Sequence, residues 1–139
     1  MRNLILLVAL FLATTLKAQQ QLIIEVELNK PTAGGTLNLV LCPTAESYAS
    51  EKGCRLVQVK AEGGVVRIVL KDVAPGSYAI KAFHDVDRNG KLDTNFMGIP
   101  KEPYGFSNDA MGTFGPPSFE QASFKVGAGS TTVRFKMKG

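Results

Sequence analysis

The residues with the most chemistry in this chain form the acidic run Asp85-Val86-Asp87-Arg88-Asn89-Gly90-Lys91-Leu92-Asp93. The pattern D-x-D-x-N-G-x-x-D places oxygen donors at positions 1, 3, 5 and 9 of a calcium-binding loop. Gly90 falls at position 6, where the sharp turn favours a residue tolerant of positive φ. A hard cation needs several oxygens converging at about 2.4 Å, and alternate residues of a tight turn deliver them. Position 7 contributes a backbone carbonyl, so Lys91 serves there while its side chain points to solvent. The candidate metal ligands are therefore Asp85, Asp87, Asn89, Asp93 and the carbonyl of Lys91, and the implied ion is calcium. Three carboxylates packed this closely repel one another, which favours a bound cation over a plain solvated Asn-Gly turn. Position 12 is Phe96 rather than the bidentate glutamate of an EF-hand, and no flanking helices are expected. Glu102, Asp109, Glu120 or water would complete the shell.

The run opens a long stretch, residues 84–119, in which periodic apolar patterning stops. A connection this long in a small domain is usually functional or internally tied down. It holds His84, the only histidine, and alternates rigid and apolar pieces: Phe96-Met97-Gly98-Ile99-Pro100, Pro103-Tyr104-Gly105-Phe106 and Phe114-Gly115-Pro116-Pro117. Phe96, Phe106, Phe114 and Phe119 are expected to form a satellite core under the loop. The functional reading is an exposed aromatic platform, with Tyr104, Phe106 and His84 as ligand-binding residues. His84 shares strand parity with Tyr78 and Ile80, so its ring should point to the sandwich end beneath the loop and hydrogen-bond loop backbone. Ser107 and Asp109 can be drawn beside it as a hydrolase trio, yet no nucleophile elbow is present.

Compartment and class follow from the termini, charge and cysteines. The N-terminus reads MRNLILLVALFLATTLKA: a basic residue, an apolar run and small residues, the layout of a signal peptide over residues 1–18. Its apolar run is too short for the roughly 20 residues of a spanning helix, and no second run follows, so no membrane span is expected after cleavage. The full chain of 139 residues carries a formal charge of +4; removing Arg2 and Lys17 leaves 14 basic against 12 acidic side chains. No Lys/Arg run interleaved with aromatics occurs, and nucleic acid is not an expected partner. Cys42 and Cys54 bracket residues 43–53. In an exported protein such a pair reads first as a disulfide, stabilising by about 2–3 kcal/mol in the chain-entropy model.

The elements that must position these groups are strands. Residues 22–28, 36–42, 54–60, 65–71, 77–84, 122–126 and 131–137 alternate apolar and polar side chains, with turn-forming sequence between them. Thr44 is placed to cap a single helical turn ahead of Gly53. Seven short strands with no long helical pattern predict an all-β fold: a seven-stranded antiparallel β-sandwich, with one long ordered loop between the fifth and sixth strands. Residues 19–139 read as one such domain.

Pro75-Gly76-Ser77-Tyr78-Ala79-Ile80, followed by FHDVDRNGKLDTNFMGIPKEPYGFSNDA and GPPSFEQASF, resembles the bacterial DUF2141 family of exported proteins. The resemblance spans roughly residues 22–137, and its Pro-Gly-x-Tyr turn is also similar to prealbumin-like and carboxypeptidase-regulatory-like sandwiches. It implies an Ig-like or prealbumin-like fold and an export route, without an activity. Relative to the family's usual acidic loop, this chain has Arg88 inside the turn and adds the Cys42/Cys54 pair. The expected function is a periplasmic or secreted non-catalytic module that binds an envelope or extracellular ligand or partner through a calcium-tied loop. The alternative is a small envelope hydrolase using His84 with loop carboxylates.

Overall fold

A computed structural model describes residues 20–139; the signal-peptide reading of residues 1–18 lies outside them. Two sheets face each other. One has the order β4-β1-β8, built from β1 (Gln21–Glu27), β4 (Val65–Lys71) and β8 (Ser130–Lys136). The other has the order β3-β2-β5-β6, built from β2 (Thr36–Cys42), β3 (Arg55–Lys60), β5 (Gly76–Asp85) and β6 (Tyr104–Phe106), with β7 (Phe124–Val126) also on β5. The strict alternation of each strand decides which side chains meet between the sheets. Leu22, Ile24 and Val26 of β1, Ile68 and Leu70 of β4, and Val133 and Phe135 of β8 face Leu37, Leu39 and Leu41 of β2 and Ile80 and Ala82 of β5.

Two features of the expected sandwich are corrected. There are eight strands rather than seven, because β6 lies inside the stretch expected to be loop. The sandwich is also not purely antiparallel: β8 runs parallel to β1, Leu22 opposite Thr131 and Ile24 opposite Val133. The physical reason is the crossing at residues 127–129. β7 hydrogen-bonds to β5 in one sheet, and the chain then passes to the other sheet and enters it beside β1.

β5 organises the functional end. One edge pairs with β2 along its length, from Cys42 opposite Ala79 to Thr36 opposite Asp85. The other edge is shared by β7 at residues 76–78 and β6 at residues 81–83. Its entry turn is closed by the Tyr78 hydroxyl, which donates to the Ala74 carbonyl at 2.7 Å. Gly105, at the centre of β6, is required by close approach: a Cβ there would lie 2.8 Å from the Lys136 carbonyl oxygen and 3.2 Å from the Met137 sulfur. Tyr104 exchanges backbone hydrogen bonds with Lys138, so the loop is stitched to the C-terminal end of the chain.

Helix α1 (Ala45–Ser50) stands in the connection between β2 and β3, capped by Thr44, whose hydroxyl accepts from the Ser47 amide while Ser47 Oγ accepts from the Thr44 amide. Glu51 ends it in a left-handed conformation. Cys42 and Cys54 form a disulfide across this connection. Around it Tyr48, Ala79 and Ala122 make a second, smaller cluster, with Phe106 and Phe119 packed against its edge. Ala122 belongs to α2 (Phe119–Ala122), a single turn capped by Ser118.

Candidate metal centre

The acidic run begins where β5 leaves the sheet. Asp85 is its last residue, and the side chain is almost wholly buried, at 2 % exposure. The preceding turn holds it there. His84 Nε2 donates to the Gly34 carbonyl at 2.5 Å, and a Cβ on Gly35 would lie 2.2 Å from the Asp85 carbonyl oxygen. The Gly34-Gly35 pair, both at positive φ, therefore lets the β1–β2 turn close onto the root of the loop.

From Asp85 the chain coils around that residue's own carboxylate. Asp85 Oδ1 accepts from the Asn89 amide at 3.1 Å and Oδ2 from the Gly90 amide at 2.7 Å. Arg88 and Gly90 take the positive φ values, 58° and 77°, that so tight a coil demands. Glu102 returns from the far side of the loop, nearly buried at 7 % exposure, and accepts the amides of Val86 at 3.2 Å and Asp93 at 3.4 Å. Asp85, Asp87 and Glu102 thus bring carboxylate oxygens within 4.8 Å of one another, a group that could hold a metal ion. The five ion pairs found among the described residues involve none of the three. Their compensation is backbone amide and nothing cationic.

The other expected ligands are arranged differently. Asn89 donates its side-chain amide to Asp93 Oδ1 at 2.5 Å and accepts from the Lys91 amide at 2.9 Å. Asp93 is not part of the converging group; the Asn89 amide, then the hydrogen bond with Asp87, holds its carboxyl below the usual range. That same hydrogen bond with Asp93, ahead of desolvation, pushes the Asp87 carboxyl up to about 6. Of the candidates for the completing ligand, Glu102 is the one brought in. Asp109 Oδ1 instead accepts the Lys136 amide at 2.8 Å, and Glu120 lies exposed in the first turn of α2.

The hydrolase trio is not assembled. His84 is fully buried and its Nε2 is committed to Gly34; its Nδ1 has no partner. Ser107 is fully buried too, accepting from the Ile80 amide and donating to the Ala122 carbonyl. Nor does the loop form the expected four-phenylalanine core. Phe106 and Phe119 pack inward, whereas Phe96 and Phe114 are fully exposed, because the short turns that carry them point away from the sandwich. Tyr104 and Phe106 are half-buried and pack edge to face, 6.1 Å between centroids. The signal for β6 was Gly105, a glycine flanked by aromatics at strand spacing, which marks a close backbone approach.

A model of the family described as "Uncharacterized protein conserved in bacteria (DUF2141)" matches residues 24–134. No curated protein and no solved structure matches the chain. Among the described residues no helix is long and apolar enough to cross a membrane.

Proposed function

We propose that this chain, which belongs to the DUF2141 family, is an exported non-catalytic β-sandwich module whose acidic loop binds calcium and holds a recognition loop in shape for an envelope or extracellular ligand. The observation that carries the reading is the pair of buried carboxylates, Asp85 and Glu102, converging with Asp87 and facing no lysine or arginine. Burying carboxylates that only backbone amides answer, with no opposite charge beside them, is costly, and a hard divalent cation offsets that cost. The donors are all oxygen, which suits calcium or magnesium rather than a soft metal, and the calcium-loop spacing of Asp85, Asp87 and Asn89 favours the larger ion. Residues 1–18, with their signal-peptide layout, and the Cys42–Cys54 disulfide support a periplasmic or secreted location. The hydrolase alternative loses support because His84 and Ser107 are both fully buried, with His84 Nε2 and the Ser107 hydroxyl committed to backbone carbonyls.

An ion bound only by the folded chain adds RT ln(1 + [L]/Kd), about 2.7 kcal/mol at a hundredfold excess over Kd. Chelated protein should therefore melt several degrees higher on adding calcium and much less on adding magnesium, with Asp87→Ala removing the shift. Identical melting curves with calcium, magnesium or neither would refute the reading.

A further inference from the structure

The pair Asn89-Gly90 within the acidic coil carries a chemistry of its own. Among the described residues Asn29, Asn38, Asn95 and Asn108 precede lysine, leucine, phenylalanine and aspartate, and only Asn89 precedes glycine. The main-chain nitrogen of the following residue can attack an asparagine carboxamide; a side chain on that residue obstructs the approach, and glycine has none. Both residues are exposed, and a Cβ on Gly90 would find nothing within 4 Å. The Asn89 side chain is also folded along its own peptide. Its Oδ1 accepts the Lys91 amide at 2.9 Å, a bond that spans Gly90 and keeps the carboxamide beside that nitrogen, while Nδ2 donates to Asp93 Oδ1 at 2.5 Å.

One set of contacts opposes the attack. The Gly90 amide donates to Asp85 Oδ2 at 2.7 Å, and the Asn89 amide to Asp85 Oδ1 at 3.1 Å. A nitrogen held on a nearly buried carboxylate is not free to turn toward the carboxamide, so any reaction runs from openings of the coil. Residues 87–91 are all exposed and belong to neither apolar cluster, so the coil opens without unpacking a core.

We propose that Asn89 is a site of spontaneous covalent modification, converting to aspartate and isoaspartate, with the Asp85 carboxylate as its restraint. The Gly90 nitrogen attacks Asn89 Cγ; that bond forms as the Cγ–Nδ2 bond breaks, and the Gly90 amide proton leaves with Nδ2 as ammonia. One water then opens the cyclic imide at either carbonyl. Opening at Cγ gives aspartate. Opening at the main-chain carbonyl gives isoaspartate, in which the chain runs on through Cβ and Cγ. Isoaspartate lengthens the main chain by one atom between two amides that meet the two oxygens of a single carboxylate, so both bonds to Asp85 cannot persist. It also puts an acid where an amide donated to Asp93. The inference goes beyond the calcium reading, because the glycine, the exposure and the Asp85 bonds carry it whether or not an ion binds.

The test is peptide mapping by mass spectrometry of the mature chain kept in warm, mildly alkaline buffer with chelator, beside the same chain in urea. In the folded protein Asn89 should give two products with the mass gain of an amide-to-acid exchange, while Asn29, Asn38, Asn95 and Asn108 stay intact. Conversion should be about tenfold faster in urea, where Asp85 no longer holds the Gly90 amide. Asp85→Ala should close most of that gap without urea; if that variant does not fold, the two wild-type samples still decide the matter. Gly90→Ala should convert about tenfold more slowly than wild type in urea, where its fold is not at issue. The isoaspartate form, isolated by chromatography, should be cut by trypsin after Lys91 several-fold faster than the unmodified chain, because its coil has opened. Asn89 intact in the folded protein when the urea sample is fully converted would overturn the inference. So would equal rates in buffer and urea, conversion no faster at Asn89 than at the other asparagines, or equal cutting of the two forms.

Discussion

The carboxylates of Asp85 and Glu102, on opposite limbs of the long loop, approach within 4.8 Å of each other in a nearly buried position, and neither meets a cationic side chain. Everything around them serves that convergence. β5 ends at Asp85, the Gly34-Gly35 turn presses on its backbone, and β6 pins the chain immediately after Glu102 to both β5 and Lys138.

Gly35 should matter to the metal as well as to the fold. A methyl there would collide with the Asp85 carbonyl oxygen and the Val86 Cα, whereas Gly34, at a similar positive φ, has open space. Both alanine variants carry the left-handed backbone cost, of order 1 kcal/mol. Only Gly35→Ala should also weaken calcium binding, by tenfold or more, since it displaces Asp85. Titration calorimetry on the two variants checks this; equal affinities would detach the turn from the site.

The disulfide should be a structural staple rather than a reactive pair. It closes a sequence separation of 12, worth about 3 kcal/mol in the chain-entropy model. Cys42→Ser/Cys54→Ser should lower the urea midpoint accordingly while leaving calcium affinity unchanged, because the bridge lies by α1 and away from the acidic loop. Thiol titration of unfolded wild-type protein should find no free thiol, and two thiols would contradict the bridge.

Tyr48 gives an alkaline signature. Burial pushes its phenol from 10.0 up to about 12, and its hydroxyl donates to the Pro117 carbonyl at 2.9 Å. The folded state keeps this proton where the unfolded chain releases it, so the contribution is complete below 10.0 and is lost as pH rises through about 12. Tyr48→Phe forfeits the hydrogen bond, about 1 kcal/mol near neutral pH. The gap between wild type and variant should narrow across that alkaline window in urea titrations; a constant gap would mean the phenol is not buried in solution.

The sequence-level reading succeeded where one period ruled a whole element. Leu22-Ile24-Val26, Leu37-Leu39-Leu41 and Val66-Ile68-Leu70 place β1, β2 and β4, because a half-buried strand must alternate. Thr44 announced α1 through its capping hydroxyl. β6 was hidden because three residues contain too little of a period, and its pairing with β5 is a long-range property. The parallel run of β8 beside β1 depends on which sheet the chain enters after residues 127–129, which no local pattern encodes. In the acidic loop the donors at Asp85 and Asp87 followed from spacing, whereas Glu102 could be named only as one of several acids. Its selection rests on a loop closure that brings residue 102 back to Val86 and Asp93. Phe96 and Phe114 depart from the tendency of large aromatics to seek cover, which no periodic pattern in their turns announced.

The most direct test of the cation centre is isothermal titration of chelated wild-type protein and of Glu102→Gln with calcium. The substitution preserves side-chain shape and one acceptor oxygen but removes the charge that completes the group with Asp85 and Asp87. Wild type should bind calcium at a single saturable site, and Glu102→Gln should bind at least tenfold more weakly, since one charge and one acceptor oxygen of the group are lost. No calcium heat in wild type, or unchanged affinity in Glu102→Gln, would contradict the account.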